Sequence, residues 1–529
     1  QENSFGPNFL KRTQASNGEI SLGKTTGNTW LNENTLTYNK AFANNHRMNA
    51  VVGFTAQRFL TEKLFVYAFD LPSNHTGYHN IGSALKPQKP SNTESSWSML
   101  SYLGRVNYTI NDKYLFTLTG RVDGSSKFAK GNQYGFFPSG AFAWRISREK
   151  FMLDQNTIDD LKLRLSYGVI GNQAIPPYQS LALIGPFGEG VFNSPSGVEV
   201  YTGNEPTSYV YRKIKWETTR QFDLGIDLSM LKNRITLTAD YYKKKTNDLL
   251  LTTPIPLTSG FATSMLNIGN IDNWGLELDL RTINIQKKLT WTSAVNFAMN
   301  RNTITKLNDD NDIYLLGALV LREGQSIGTF YGYKFAGIFQ SDEEAANSPV
   351  LVGQEPTSPN PASRARAGDR KYHDLNNDGK IDENDRTILG TAVPKFTMGL
   401  SNTLQYKNFD LSIFVHGSYG NKLANFNNLD LLNFTGQHNV LREAALNRWT
   451  PTNPSNKYPR ALAAGSLDQG LISDVIIEDA SFIRVRNISL GYRLPTNLLK
   501  KIKVQQLKVY FSGSNLFTFT KYTGFDPEA

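Results

Sequence analysis

Cysteine is absent from the 529 residues, which removes disulfides, thiolate metal sites and cysteine nucleophiles together. No run of about 18 apolar residues occurs either, so no transmembrane helix is expected, and a bilayer crossing has to be made by a closed sheet. The first residues, Gln1-Glu2-Asn3-Ser4, have neither the basic nor the apolar region of a secretory signal. A processed mature chain, or a piece of a longer protein, is the expectation. Signatures of catalysis are scarce too: no nucleophile elbow, phosphate loop or dinucleotide fingerprint stands between a strand and a helix. The six histidines, His46, His75, His79, His373, His416 and His438, are spread out. His75 and His79 share a loop that offers no third zinc ligand. Net charge is +10, yet the cations sit singly at turns (Lys232, Arg234, Lys287, Lys288) without a basic cluster. Solvated turns, and contact with lipid phosphates at a membrane surface, fit this better than nucleic acid, which is not expected as a partner.

What the sequence has is alternation. Tyr114, Phe116, Leu118 and Val122 fall on one face of a segment whose other face carries Thr117, Thr119, Arg121 and Asp123. The preceding segment sets Val106, Tyr108 and Ile110 against Arg105, Asn107 and Thr109. Successive side chains of a strand point to opposite faces, so this is a two-faced sheet. Residues 30 to 43 with 46 to 60, and 98 to 111 with 113 to 124, read as hairpins. Residues 136 to 147 and 159 to 170 follow as further strands. The segments around Leu224 and Leu237, and around Leu278 and Val295, read as pairs, as do 394 to 406 with 409 to 420 and 481 to 494 with 504 to 519. About fifteen strands result, most near the ten residues that a tilted strand needs to cross a bilayer.

A soluble sandwich buries the apolar face of such strands between two sheets. Three features favour a membrane barrel instead. Short polar turns alternate with long Gly/Pro/Asn-rich loops at 61 to 96, 171 to 213, 340 to 393 and 421 to 479, as periplasmic turns alternate with extracellular loops. Aromatic residues recur toward strand ends (Phe136, Phe137, Trp144, Trp274, Trp291, Tyr406, Tyr492), as interfacial girdles require. Polar faces carry Asp, Glu and Arg in mid-strand, which suits a wet or plugged lumen. The fold class is therefore all-β, a transmembrane antiparallel barrel with long extracellular loops.

The sharpest local motif runs from Asp374 to Asp385. Asp374, Asn376 and Asp378 stand at positions 1, 3 and 5, Gly379 at 6, Lys380 at 7 with its carbonyl, Asp382 at 9 and Asp385 at 12. That is the ligand spacing of a calcium loop, with Asp385 in place of the usual, longer glutamate. Ca2+ is thus the one cofactor suggested. An Asx-rich turn without metal explains the same residues, and no amphipathic helices flank the loop, so an ion here would stiffen the loop. Loop aromatics (Tyr78, Trp97, Tyr178, Tyr201, Tyr209, Tyr211) suit stacking on sugars or packing on peptides, and ordinary loop packing explains any one of them.

Several strings then resemble the SusC/RagA family of TonB-dependent outer-membrane transporters: Gly120 to Phe128, Tyr134 to Gly140, Ala143 to Ser147, Trp216 to Gly225 and Asn273 to Leu278. Gly368 to Tyr372 leading into the calcium-like loop, Ala480 to Tyr492, Asn515 to Thr518 and Tyr522 to Glu528 belong with them. The resemblance implies a barrel of roughly twenty-two strands, an N-terminal plug, a SusD-like surface lipoprotein as partner, and uptake of glycans or peptides powered through the TonB complex. It implies no catalysis. The 529 residues include neither the plug nor the closing strand that the resemblance implies, so residues 1–529 are expected to be the barrel portion, about fifteen of those strands, of a longer chain, with 340–393 as a long extracellular loop. TonB contacts would lie in the missing part, and no residue is nominated for substrate. Two other readings stand beside the importer: a calcium-stiffened, β-rich surface adhesin without transport, and an outer-membrane hydrolase with carboxylates converging in the lumen.

Overall fold

The computed structural model describes residues 2–7, 16–42, 45–75, 77–194, 197–307, 312–315, 318–355, 363–432, 434, 439–461, 471–500 and 503–528. Its largest sheet has sixteen strands. Fifteen follow one another in chain order: β1 (Glu2–Gly6), β2 (Glu19–Phe42), β3 (His46–Phe69), β4 (Ser91–Ile110), β5 (Tyr114–Ser125), β6 (Tyr134–Arg145), β7 (Ile158–Asn172) and β8 (Glu217–Met230). Then come β9 (Ile235–Asn247), β10 (Asn270–Gln286), β11 (Leu289–Lys306), β12 (Phe396–Tyr406), β13 (Phe409–Tyr419), β14 (Phe482–Arg493) and β15 (Lys508–Thr520). The short pair Lys86–Pro87 joins β3 from the side. No described helix is long and apolar enough to cross a membrane.

Two compact units divide the chain. The first comprises Gln1–Phe142, Tyr167–Arg220 and Asn247–Ile268; the second comprises Ala143–Ser166, Gln221–Thr246 and Gly269–Ala529.

In the first unit β2 pairs with β3 from Glu19↔Phe69 to Phe42↔His46, and β3 with β4 from Phe65↔Ser91 to His46↔Ile110, all antiparallel. These strands are longer than the alternation suggested. Residues 61–69 and 91–96, expected as loop, continue the ladder. The loop around 171 to 213 likewise holds a hairpin, Ile184–Ser194 with Gly197–Pro206. Phe137 is no girdle residue: with Phe128, Ile175, Ile214 and Trp216 it forms a buried cluster.

In the second unit β12 to β15 match the expected segments closely, because each is little longer than a bilayer crossing and keeps one polarity throughout, whereas β10 and β11, 17 and 18 residues long, run past the alternating stretches expected around Leu278 and Val295. Along β9 to β11, Tyr241, Leu276 and Met299 share one row, and Leu237, Leu280 and Val295 another. On β12 to β15 the rows continue as Leu404, Leu411, Leu490 and Phe511. The opposite face of the same strands carries Ser401, Thr403, Ser412, Ser489 and Ser512, a polar lining. Phe297, Phe396 and Tyr419 stack at one end of the apolar face, their ring centroids 5.5 and 5.2 Å apart. Phe409 packs on Tyr492 at 4.6 Å at the other, beside the short turn at Lys407. Both aromatic belts frame an apolar band one bilayer tall.

Candidate functional site

The long loops of the second unit are folded bodies. Thr329–Gly332 pairs with Leu319–Leu321 and Thr387–Thr391, Phe335–Ile338 with Arg370–Tyr372, and Lys422–Ala424 with Ile477–Asp479. Two small cores hold them: Ala318, Phe330, Ile476 and Ile477 in one, Tyr333, Leu351, Tyr372 and Ile381 in the other. Hydrogen bonds tie the two loops to each other. Arg460 grips Asp369 in a two-pronged ion pair of 2.8 and 3.2 Å. Asn456 Oδ1 accepts from the Ile338 N–H at 3.0 Å, and Asp474 Oδ1 from the Phe335 N–H at 2.8 Å. The partners lie about a hundred residues apart in sequence, which is why local periodicity did not reveal them.

The 374–385 turn grows out of this body. Leu351 and Ile381 pair in a short parallel ladder, and the Gly379 and Ile381 carbonyls accept from Val350 and Val352 at 3.1 and 3.0 Å. Successive carbonyls of an extended chain point to opposite sides, so the Lys380 carbonyl faces away from that ladder. Asn377 and Gly379 take φ of +58° and +82°, a left-handed geometry that Asn and Gly tolerate best. Asp374 Oδ2 accepts from the Gly379 N–H at 2.9 Å, Asn376 Oδ1 from Asp378 at 3.0 Å and Asp378 Oδ1 from Lys380 at 2.9 Å.

Asp385 is fully buried and closes the turn, accepting from the Leu375 N–H at 2.7 Å and the Asp382 N–H at 2.8 Å. Asp382 instead caps the following helical turn through Asn384 at 2.8 Å. Asp374 Oδ1 is buried without a hydrogen-bond partner, the kind of acceptor that a cation or water satisfies. Among the described residues no three His, Asp or Glu converge as a metal-holding group. The structure therefore draws Asp374, Asn376, Asp378 and Asp385 around one turn and directs the Asp382 carboxylate to a cap.

The other nominated residues scatter. His46 bonds Tyr108 at 3.0 Å, His79 packs on Tyr78 at 4.2 Å, and His416 faces Glu528 at 2.9 Å. His438 lies outside the described residues. Two carboxylates of the polar face, Asp227 and Asp240, are engaged by cations. Asp227 holds Lys162 at 2.7 Å and Arg164 at 3.0 Å, and Asp240 holds Arg164 at 2.8 Å. Arg484, almost fully buried, is clamped by Asp526 at 2.6 Å and by Glu528. No acid–base pair for hydrolysis is assembled among them.

One feature of the first unit escaped the sequence reading. On β3 and β4, Val52, Phe54, Tyr102 and Val106 share the face of the lower ladder, and Arg58, Glu62, Glu94 and Ser98 occupy the same face above it. The aromatic residues change sides there: Phe59, Trp97, Phe65, Tyr67 and Phe69 lie on the opposite face. Phe59 and Trp97 are 6.0 Å apart, Tyr67 and Phe69 4.6 Å, and Lys127 stands 4.9 Å over the Trp97 ring. Burial pushes the Lys127 ammonium below its ordinary value. Trp97 is thus a strand residue, and Tyr178 braces it from the loop by accepting the Ser96 N–H at 2.8 Å. The signal was the shift of aromatics from even to odd positions along β3.

Residues 2–516 match the model of the TonB dependent receptor-like β-barrel family. TonB-dependent receptor P3 of Formosa agariphila is 36% identical over all of this chain and 52% of its own length. TonB-dependent receptor SusC of Bacteroides thetaiotaomicron is 34% identical over 82% of this chain and 41% of its own. Among solved structures, the RagAB peptide transporter superposes with a TM-score of 0.78 at 24% identity, covering 97% of this chain and 54% of that one. The chain spans about half the length of the curated relatives it matches. An outward apolar band, a polar opposite face and folded loops at one end are what this family's architecture demands, and the chain belongs to the TonB-dependent receptor β-barrel family, whose members lie in the outer membrane.

Proposed function

We propose that the full-length protein imports oligosaccharides or peptides across the outer membrane, driven through TonB and capped by a SusD-like surface lipoprotein. Family membership together with the folded loop body carries this reading: a wall with a polar inner face supplies a path, and tied loops supply a rigid mouth. Deleting the gene in its native host and offering a panel of oligosaccharides and a peptide digest tests it. Uptake of one class is expected to vanish on deletion and on collapse of the proton-motive force. Undiminished uptake of every substrate in the deletion strain would contradict it. Retrieval of a surface lipoprotein with the tagged protein tests the partner.

The 374–385 turn is proposed to take a calcium ion through Asp374, Asn376, Asp378, the Lys380 carbonyl and Asp385. The orphaned Asp374 Oδ1 supports this, and the ion would neutralise a cluster of carboxylates and stiffen the loop. Protection of residues 374–385 from hydrogen exchange in the full-length protein should rise with calcium and fall with a chelator. Identical exchange in both states would leave the turn as an Asx turn alone.

A further inference from the structure

The apolar face of β12 to β15 is interrupted at the loop end by a notch of about 540 Å3. Gly417 forms its floor, where a Cβ would come within 2.8 Å of the Phe482 carbonyl oxygen. Phe396, Met398, Tyr419, Ile483 and Phe519 wall it. All belong to the outward rows of the sheet, so the notch opens to lipid, in the leaflet remote from the short turns.

Its upper rim is polar: Ser418, Ser481, Thr520, Asp479 and Lys521. Asp479 is the one carboxylate among the described residues lining it. It accepts from Ser481 N–H and Oγ–H at 3.0 and 2.6 Å. Those bonds, and then Lys422 and Lys521, hold its carboxyl below the ordinary range. Neighbouring Glu478 is occupied by Asn425, Asn428 and Thr523. Two further cations stand at the same end, Lys395 against Gly420 and Arg301, which donates to the Lys395 carbonyl at 2.7 Å. Lys521 at the rim, with Lys422, Lys395 and Arg301 nearby, outnumbers Asp479 and Glu478 and leaves this end of the apolar slot with a surplus of positive charge.

We infer that the notch binds an outer-leaflet glycolipid that is phosphorylated and multiply acylated, one acyl chain lying over Gly417 and its phosphate meeting Lys395, Lys422 and Lys521. A slot with an aromatic wall takes an alkyl chain by burying it. Clustered cations at the bilayer surface attract an anionic headgroup, and rim hydroxyls suit a sugar. This site is independent of what the protein imports, so its failure leaves the transport reading standing.

The test uses the full-length protein, stripped of lipid in detergent and titrated with purified lipid A or with phosphatidylglycerol, bound lipid being counted by native mass spectrometry. Wild type is expected to hold one lipid A more tightly than phosphatidylglycerol. Ile483→Trp, which fills the slot, should weaken lipid A by about tenfold, and Lys521→Glu by about fivefold. Met398→Trp serves in place of Ile483→Trp if heat-modifiable migration shows that variant unfolded. Equal binding of both lipids, or unchanged lipid A binding in folded variants, would overturn the inference and leave only annular lipid.

Discussion

Two sets of strands in this sheet differ twofold in length. In the first unit β2 and β3 run for 24 residues each and β4 for 20; in the second, β12 and β13 run for 11, β14 for 12 and β15 for 13. A tilted strand crosses the hydrocarbon in about 9 to 11 residues. The second set is consumed by the membrane and keeps a single polarity. The first set has as many residues again beyond it, and there the constraint on polarity lapses. Its outward face turns to Arg58, Glu62, Glu94 and Ser98, and its aromatic residues gather on the inward face. Strand length thus separates the part of a ladder that answers to lipid from the part free to build a mouth.

The largest expected effect sharpens that contrast. An arginine at Leu400 or Leu278, mid-band on the outward face, should cost about 2 to 4 kcal/mol in reversible unfolding of the full-length protein in lipid. The same change at Leu64, in the upper ladder, should cost less than about 1 kcal/mol. Equal costs at both places would erase the distinction.

A second effect bears on the folded loops. Asp385→Ala leaves the Leu375 and Asp382 N–H groups without acceptors in a buried place, a cost of about 2 to 4 kcal/mol. Faster hydrogen exchange across 374–385, with the strand ladders unaffected, is the expected readout. Exchange unchanged from wild type would mean that Asp385 does not hold the turn.

Third, on the inward face of the upper ladder, Trp97→Ala removes the ring that Phe59 and Lys127 contact, at about 1 kcal/mol beyond the area it buries. Proteolysis of the 61–96 hairpin should quicken, and unaltered proteolysis would count against an aromatic wall.

The smallest effect concerns pH. The Lys371 ammonium, with the Gln340 N–H, holds the Glu344 carboxyl below its ordinary value of 4.5. A depressed pKa contributes stability that is complete above 4.5 and lost as pH falls through the lower, folded value. Exchange of Asp342–Ala346 should therefore rise only below pH 4.5, and Lys371→Gln should flatten the profile. A rise near neutrality would contradict the pairing.

How much of this was legible follows from what each part obeys. Every crossing strand of the second unit was visible because Leu276, Leu278 and Leu280, or Leu490 and Tyr492, must face lipid at alternate positions. The ends of β3 and β4 were not, because above the bilayer Leu60, Leu64, Phe65 and Tyr67 fall on both faces and alternation fades while the ladder continues. The Asx-rich turn at Asp374 was legible from spacing alone, but that Asp385 accepts two backbone N–H groups and Asp382 caps the helical turn after it was not. The joined loops were invisible: nothing local to Asp369 announces Arg460, and nothing near Arg484 announces Asp526 and Glu528.

The absence of cysteine from these 529 residues, with any cysteine elsewhere in the full-length protein replaced by serine, makes the central claim directly measurable. Single substitutions Val52→Cys, Tyr102→Cys, Val106→Cys, Glu62→Cys, Glu94→Cys and Ser98→Cys, all on one face of the β3–β4 ladder, can be probed in the full-length protein in intact outer membranes with a water-soluble maleimide. The first three should resist labelling and the last three should react fully, placing the lipid boundary between Tyr102 and Ser98 on β4. Uniform protection along the whole face, or uniform labelling, would contradict a ladder that leaves the membrane halfway along its length.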